Sequence, residues 1–334
     1  MRAAVFIKPG QKLDLQKLPD PTPGPDEVVL RVERCGICGT DLHFTEVSDG
    51  FPPHYIAGHE MGGEVVAVGR DVDFLKVGDH VVPHPMRGCG KCAECLGGSP
   101  FWCAQATMNM GGFAQYKLSG ARACIRMPLS LSLSDAAIVE PLTCGLLGAS
   151  RAEIRPGGSV AVLGVGPIGL SAIFWARRLG AGRIVAGASS RRREDLAKQM
   201  GADSFFVMDD TFIPSVIEDL GGPPEFVLEC IGATGVIAKC IDLVRPRGTI
   251  VALGTCFHTD TFVPMAAIMK EVTLRFAVGT LLSQFRTVAD TLAAGHVEPL
   301  AMVTDTISLD QVPETFEALR QRTSQCKVLI DPWR

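Results

Sequence analysis

Residues 159–176 run eighteen positions without a charge, the length at which a membrane helix is first suspected, yet the segment cannot be one continuous helix. Gly157 and Gly158 precede it, Val160–Leu163 reads as a fully apolar strand, and Gly164-x-Gly166-Pro167-x-Gly169 interrupts before a helical stretch, Leu170–Leu179, that stops at Gly180. Strand, glycine turn and helix in that order commit the segment to the start of a βαβ unit. In that frame Gly164 makes the sharp turn, Gly166 lets backbone approach a pyrophosphate, Gly169 lets helix pack on strand, and the helix N-terminus faces the phosphates. A glycine loop that serves only packing is the alternative.

The alternation continues downstream. Arg183–Ala188 reads as a strand, Arg193–Met200 as a helix ending at Gly201, and Ser204–Met208 and Glu225–Cys230 as strands. Ile237–Val244 then reads as a helix, and Thr249–Leu253 and Val272–Val278 as strands, which together predict an α/β doubly wound parallel sheet. The second strand ends nineteen residues past Gly169 at Ala188, where a carboxylate would normally hold the adenosine ribose. With no acid to repel a 2'-phosphate, and with Ser189, Ser190 and Arg191 following, the segment favours NADP over NAD. The competing reading has Arg191–Arg193 merely solvating the next helix start, which is unfavourable for positive charge on dipole grounds.

The other strong pattern is Cys89, Cys92, Cys95 and Cys103, spaced C-x2-C-x2-C-x7-C. Four thiolates this close in sequence can complete one tetrahedral shell, so the spacing predicts a structural zinc. A disulfide framework suits short secreted chains, whereas this chain has 334 residues and eight further scattered cysteines. Iron–sulfur spacings usually carry a following proline and a different reach to the fourth ligand. Cys35-Gly-Ile-Cys38-Gly-Thr40-Asp41-Leu-His43 and Gly58-His59-Glu60 are ambiguous on spacing alone. Cys35 and Cys38 form a redox-like C-x-x-C, and His59 reads equally as a satisfied core histidine.

Composition narrows the field. With 47% hydrophobic and 20% charged residues the chain is globular and long enough for two domains, and a net charge of −4 with 6% aromatics argues against nucleic-acid binding. Met1–Gly10 reads as a first strand, without a cleavage-like site, and places the protein in the cytoplasm.

In family order, C-G-x-C-G-T-D-L-H at 35–43, G-H-E at 58–60, the four-cysteine lobe, Glu140-Pro-Leu and G-x-G-P-x-G at 164–169 resemble the zinc-dependent medium-chain dehydrogenase/reductase (alcohol dehydrogenase) family along almost the whole chain. The resemblance implies a β-rich GroES-like catalytic domain over 1–148, an NADP-binding Rossmann domain over 149–284 and a return to the first domain over 285–334. The substrate cleft is expected between them. It implies two zinc ions per chain. The catalytic one takes Cys38 and His59, with Glu60, Glu140 or water completing the shell, and Glu140 stands where some members have a second cysteine.

By the same resemblance, Thr40 and His43 form a proton relay and Asp41 accepts a bond from His59. Gly164, Gly166, Pro167, Ile168 and Gly169 line the pyrophosphate, and Lys327 contacts it. Leu253 and Gly254 lie near the nicotinamide ribose, and Val278, Gly279 and Thr280 near the carboxamide. Cys35 is a packed thiol. Relatives are dimers or tetramers built by pairing sheet edges, with Thr273–Val278 as the candidate edge. Phe51, Trp102 and Leu142 are candidates for the substrate pocket. The function expected is a zinc- and NADP-dependent dehydrogenase of secondary alcohols, equally a ketone reductase. The alternatives are an NAD-dependent polyol or sugar dehydrogenase and, from another class, a non-catalytic NADPH-binding protein.

Overall fold

A computed structural model describes residues 1–321 and 323–334. The chain forms two compact units, Met1–Glu140 with Gly279–Arg334, and Pro141–Val278. The boundaries thus fall at Glu140/Pro141 and Val278/Gly279, eight and six residues earlier than 148 and 284. The unit boundary therefore falls inside the Val139–Ala152 helix, directly after the acid Glu140.

The first unit is built on a sheet ordered Cys124–Arg126, His80–Pro83, Glu60–Val68, Glu27–Gly36, Lys327–Asp331, Val303–Ser308, with Tyr116–Gly120 also paired to Glu27–Gly36. Its pairings are antiparallel except for the last, so the C-terminal segment is stitched beside the central strand. A three-stranded sheet of Asp14–Lys17, Arg2–Phe6 and Tyr55–Ile56 lies apart from it in the hydrogen-bonding pattern. Phe6, Met61, Phe113, Phe316, Val328 and Ile330 belong to the unit's main core. Burial of such large apolar side chains supplies the main stabilising term, about 1.5–3 kcal/mol for each one.

The second unit holds six parallel strands in the order Ser204–Val207, Arg183–Ala188, Ser159–Leu163, Phe226–Glu229, Thr249–Ala252, Thr273–Phe276. In chain order within the unit this is 3-2-1-4-5-6, the doubly wound arrangement expected from the sequence, with its switch point between the first and fourth strands. Val160–Leu163 is completely buried on both faces, which explains the uninterrupted apolar run. The helix after it spans Pro167–Arg178 and begins three residues before the predicted Leu170, because proline is well suited to a first helical position. Two further helices, Phe212–Leu220 and Pro264–Lys270, also belong to this unit. No helix among the described residues is long and apolar enough to cross a membrane.

Candidate metal and dinucleotide sites

In the first unit, sheet register delivers the site. Gly36, at the end of the central strand, pairs with Glu60 on one side and Leu329 on the other. Cys38 therefore follows the central strand, His59 immediately precedes one neighbour, and Lys327 opens the other. The ligand atoms of Cys38, His59 and Glu60 lie within 4.8 Å of one another. Gly36 makes this possible, since a Cβ there would come 3.2 Å from the Lys327 side chain and overlap the Glu60 carboxylate.

Cys38 caps a short helix, Gly39–Phe44, and Asp41 in its first turn ties the two ligand-bearing segments together. Fully buried, Asp41 accepts from the Cys38 N–H at 3.0 Å and from the Gly58 N–H at 3.2 Å. His59 Nδ1 approaches Asp41 Oδ1 at 3.4 Å, an ion-pair distance, but makes no hydrogen bond. Asp41 thus meets His59 while its two oxygens also accept from the backbone N–H groups of Cys38 and Gly58. Burial by itself would lower the His59 pKa, but the charges of Asp41 and Cys38 outweigh it and hold it well above 6.5. A buried imidazole, a thiol and acids that favour positive charge, with their ligand atoms within 4.8 Å of one another, fit a divalent cation held by sulfur, nitrogen and oxygen.

Glu60 is 1% exposed and takes a hydrogen bond from Lys327 Nζ, which also donates to the Ile37 carbonyl at 3.0 Å. Lys327, expected at the pyrophosphate from the resemblance, has its side chain 2% exposed and engaged beside the metal-binding cluster. Glu140 is buried, and its charge helps hold the Lys327 ammonium protonated, yet its carboxylate lies outside the three-ligand cluster. Thr40 and His43 are both partly exposed on the Cys38 helix. Cys35 is fully buried, and burial raises its pKa well above the usual thiol range, as a packed thiol requires. Phe51, stacked on Tyr55 at 4.7 Å, belongs to the core of this unit.

Cys89, Cys92, Cys95 and Cys103 converge with their sulfurs within 4.8 Å of one another, and none is in a disulfide. Backbone N–H groups of Lys91 and Cys92 draw the Cys89 thiol down to about 6. Cys103 Sγ accepts from the N–H groups of Cys89 and Gln105, both at 3.3 Å. Burial, with the neighbouring sulfurs adding to it, pushes Cys95 up to about 12. Four sulfurs so placed cannot all ionise without a cation, and N–H donors aimed at them suit a zinc tetrathiolate.

In the second unit the glycine turn has the geometry its spacing implies. Gly164 has φ +96°, and a Cβ at Gly169 would overlap the Gly164 carbonyl, so helix and strand approach as closely as backbone allows. A Cβ at Gly166 would meet nothing within 4 Å, leaving open space at the helix N-terminus that a phosphate would fill. Pro167 and Ile168 form the first turn of that helix. Ala188 closes the second strand, and Ser189, Ser190 and Arg191 follow at the sheet's C-terminal edge. Arg191 is paired with Glu194 at 2.7 Å on the surface. Arg193 was not singled out from sequence, yet its guanidinium reaches the Val165 carbonyl inside the glycine turn at 3.4 Å. Leu253 and Gly254 both donate to the Glu229 carbonyl beside the same edge. Val278 ends this unit, whereas Gly279 and Thr280 belong to the first.

Fold and site together define a zinc-binding oxidoreductase of the doubly wound class. The family described as "Alcohol dehydrogenase GroES-like domain" matches residues 24–129, and that described as "Zinc-binding dehydrogenase" matches 167–294. The chain belongs to the zinc-dependent medium-chain dehydrogenase/reductase family. Sorbitol dehydrogenase of Bacillus subtilis (strain 168) is 30% identical over 350 aligned positions, covering 100% of this chain and 98% of that protein. Alcohol dehydrogenase TADH from Thermus sp. ATN1 superposes with a TM-score of 0.91 at 28% identity over 99% of both chains. A protein of Sinorhizobium meliloti 1021 assigned to the zinc-binding dehydrogenases and solved with NADP superposes with a TM-score of 0.90, at 29% identity over 99% of both chains.

Proposed function

We propose that this enzyme transfers hydride between NADP(H) and a secondary alcohol or ketone at a zinc centre. The observation that carries the reading is the Cys38–His59–Glu60 cluster, in which His59 and Glu60 are buried and Cys38 partly so, joined in one chain to a glycine turn and, at the end of the next strand, Ala188-Ser-Ser-Arg. Cys38, His59 and a carboxylate would hold the catalytic zinc, and Cys89, Cys92, Cys95 and Cys103 the structural one. When bound, the zinc supplies Lewis acidity toward a hydroxyl or carbonyl oxygen, and the nicotinamide supplies or accepts the hydride.

The chain's own residues then orient and move protons. Thr40 Oγ1 would accept the substrate hydroxyl proton as it releases its own toward His43, which would pass a proton to solvent. Asp41 keeps Cys38 and His59 in register through the backbone N–H groups of Cys38 and Gly58. Glu60, balanced by Lys327, would offer a carboxylate oxygen to the zinc. Ser189, Ser190 and Arg191 would bind the 2'-phosphate, since Arg191's exposed pairing with Glu194 is weak enough to yield to a dianion.

Similarity to sorbitol dehydrogenase over the whole chain favours a second reading, an NAD-dependent polyol dehydrogenase. Turnover of NADPH against NADH with a panel of ketones and ketoses decides between them. Preference for NADPH supports the first, and NADH-linked ketose reduction supports the second. The Thr273–Phe276 strand lies at the sheet edge with Phe276 76% exposed, which supports pairing of two chains through that edge. Twelve cysteines without a disulfide accord with a cytoplasmic setting.

A further inference from the structure

The helix Gly39–Phe44 carries Cys38 at its N-cap and Asp41 in its first turn, yet it is only six residues long. A helix that short does not hold itself in place, because its few hydrogen bonds do not offset the cost of nucleation. Its position is set by what grips its two ends. Asp41 serves the first end through the Cys38 and Gly58 N–H groups. The second end is gripped by Arg320, which follows the helix Val312–Ala318 in the C-terminal part of the same unit.

Each of the five N–H donors of the Arg320 guanidinium has a partner. Nη1 donates to the Leu42 carbonyl and to Glu46 Oε1, both at 2.8 Å. Nη2 donates to Thr45 Oγ1 at 2.8 Å and to Glu317 Oε1 at 3.1 Å, and Nε donates to Glu317 Oε2 at 2.8 Å. Thr45 Oγ1 in turn donates to the same Leu42 carbonyl at 2.7 Å. The guanidinium lies 5.2 Å from the ring of Phe316, a fully buried member of the unit's main core, so the grip is anchored in that core.

Two backbone bonds carry this grip to the metal-binding cluster. The Leu42 N–H donates to the Cys38 carbonyl at 3.3 Å, and the Thr45 N–H donates to the Asp41 carbonyl at 3.3 Å. Arg320 thus holds the two residues that are bonded to the cysteine ligand and to the acid beside His59. Ion pairing with Glu46 or Glu317 alone would be worth little at a partly exposed site, and a lysine would satisfy it as well. A planar fork that spans a carbonyl, a hydroxyl and a carboxylate is particular to arginine.

We infer that Arg320 is a positioning residue for the metal centre: it fixes the Cys38 helix from the C-terminal segment and thereby sets the affinity of the Cys38–His59–Glu60 cluster for zinc. The inference rests on the reading that this cluster holds zinc.

The test is the zinc affinity of each site, measured on the full chain by competition with a chromophoric chelator. Cys38→Ser, which is left with the four-cysteine lobe, shows which release belongs to which site. Arg320→Met keeps the packing on Phe316 and loses the donors. It is expected to weaken the Cys38 zinc about tenfold, the lower end of the range for contacts that support metal ligands, and to leave the four-cysteine zinc unchanged. Arg320→Lys is expected to recover only part of the loss. Unchanged affinity at the Cys38 site in Arg320→Met would overturn the inference. So would parallel weakening of both sites, which marks a merely structural role. If Arg320→Met does not fold, Thr45→Val decides the matter by the same readout, with about threefold selective weakening expected for one lost hydrogen bond and no selective weakening contradicting the inference. A wild-type chain that binds zinc at the four-cysteine lobe alone would refute the reading of the Cys38 cluster itself, and the inference would fall with it.

Discussion

Lys327 Nζ donates to Glu60 Oε2 between two side chains that are 2% and 1% exposed, although 267 residues separate them in sequence. The last strand of the chain thereby closes the metal-binding cluster of the first unit. Burial alone would favour a neutral lysine, but the charges of Glu60 and Cys38 more than offset it and raise its pKa above 10.5. Removing one partner of such a pair strands a buried charge, at a cost of about 3–5 kcal/mol. Lys327→Met is expected to lose stability of that order without zinc and clearly less with it, since a cation can then balance Glu60. Urea unfolding with and without zinc checks this, and an equal loss in both would contradict it.

The two cysteine clusters separate activity from folding. Cys38→Ser is expected to abolish turnover and leave one zinc per chain, with dinucleotide binding near normal. Cys103→Ser is expected to lower the unfolding temperature, because a broken structural site forfeits metal-linked folding energy. Asp41→Ala should weaken the Cys38 zinc by about 10- to 100-fold through loss of its supporting contacts. Zinc analysis beside thermal unfolding tests all three.

Much of this was legible in the chain. Val160–Leu163 announced a doubly buried strand because parallel strands need no polar face, and Gly164-x-Gly166-Pro167-x-Gly169 fixed the turn because each position meets backbone or open space. The Cys89–Cys103 lobe was legible because its ligands are local. The partnership of Glu60 with Lys327 and that of His84 with Thr280 were not, since the first depends on strand register and the second on loop packing between residues roughly 200 or more positions apart. The Gly36 of C-G-x-C-G carried a signal for the first of these: a glycine at a strand end leaves room for a neighbour's side chain. The domain boundary was displaced because a single helix runs across it without a break in pattern.

Lys117 gives a pH dependence of defined sign. Burial lowers its pKa from 10.5 to about 8. Between those values the unfolded chain carries a proton that the folded chain has lost, so this group's contribution makes stability rise with pH from about 8 to 10.5 and stay constant below 8. The span corresponds to a few kcal/mol, on the order of 3. Lys117→Met is expected to remove this rise, so its stability relative to wild type is greatest at neutral pH and declines toward pH 10.5. A flat difference across that range would show that Lys117 is not perturbed.

Arg191 and Arg193 are expected to differ. Arg191→Ala should raise the KM for NADP about tenfold with little change for NAD, the loss of one charge-assisted hydrogen bond. Arg193, reaching the Val165 carbonyl inside the glycine turn, should weaken both dinucleotides when changed to Ala. Steady-state KM values for the two cofactors distinguish these outcomes, and equal loss of NAD and NADP in Arg191→Ala would remove the phosphate role.

The central claim is zinc-dependent hydride transfer with NADP, and its most direct test is kcat/KM for NADPH and NADH with ketone and ketose substrates on protein of measured zinc content. The account predicts two zinc ions per chain, NADPH favoured over NADH, and activity that is lost when the Cys38 zinc alone is removed. One zinc per chain at the four-cysteine lobe, with tight NADPH binding and no turnover of any substrate, would contradict it.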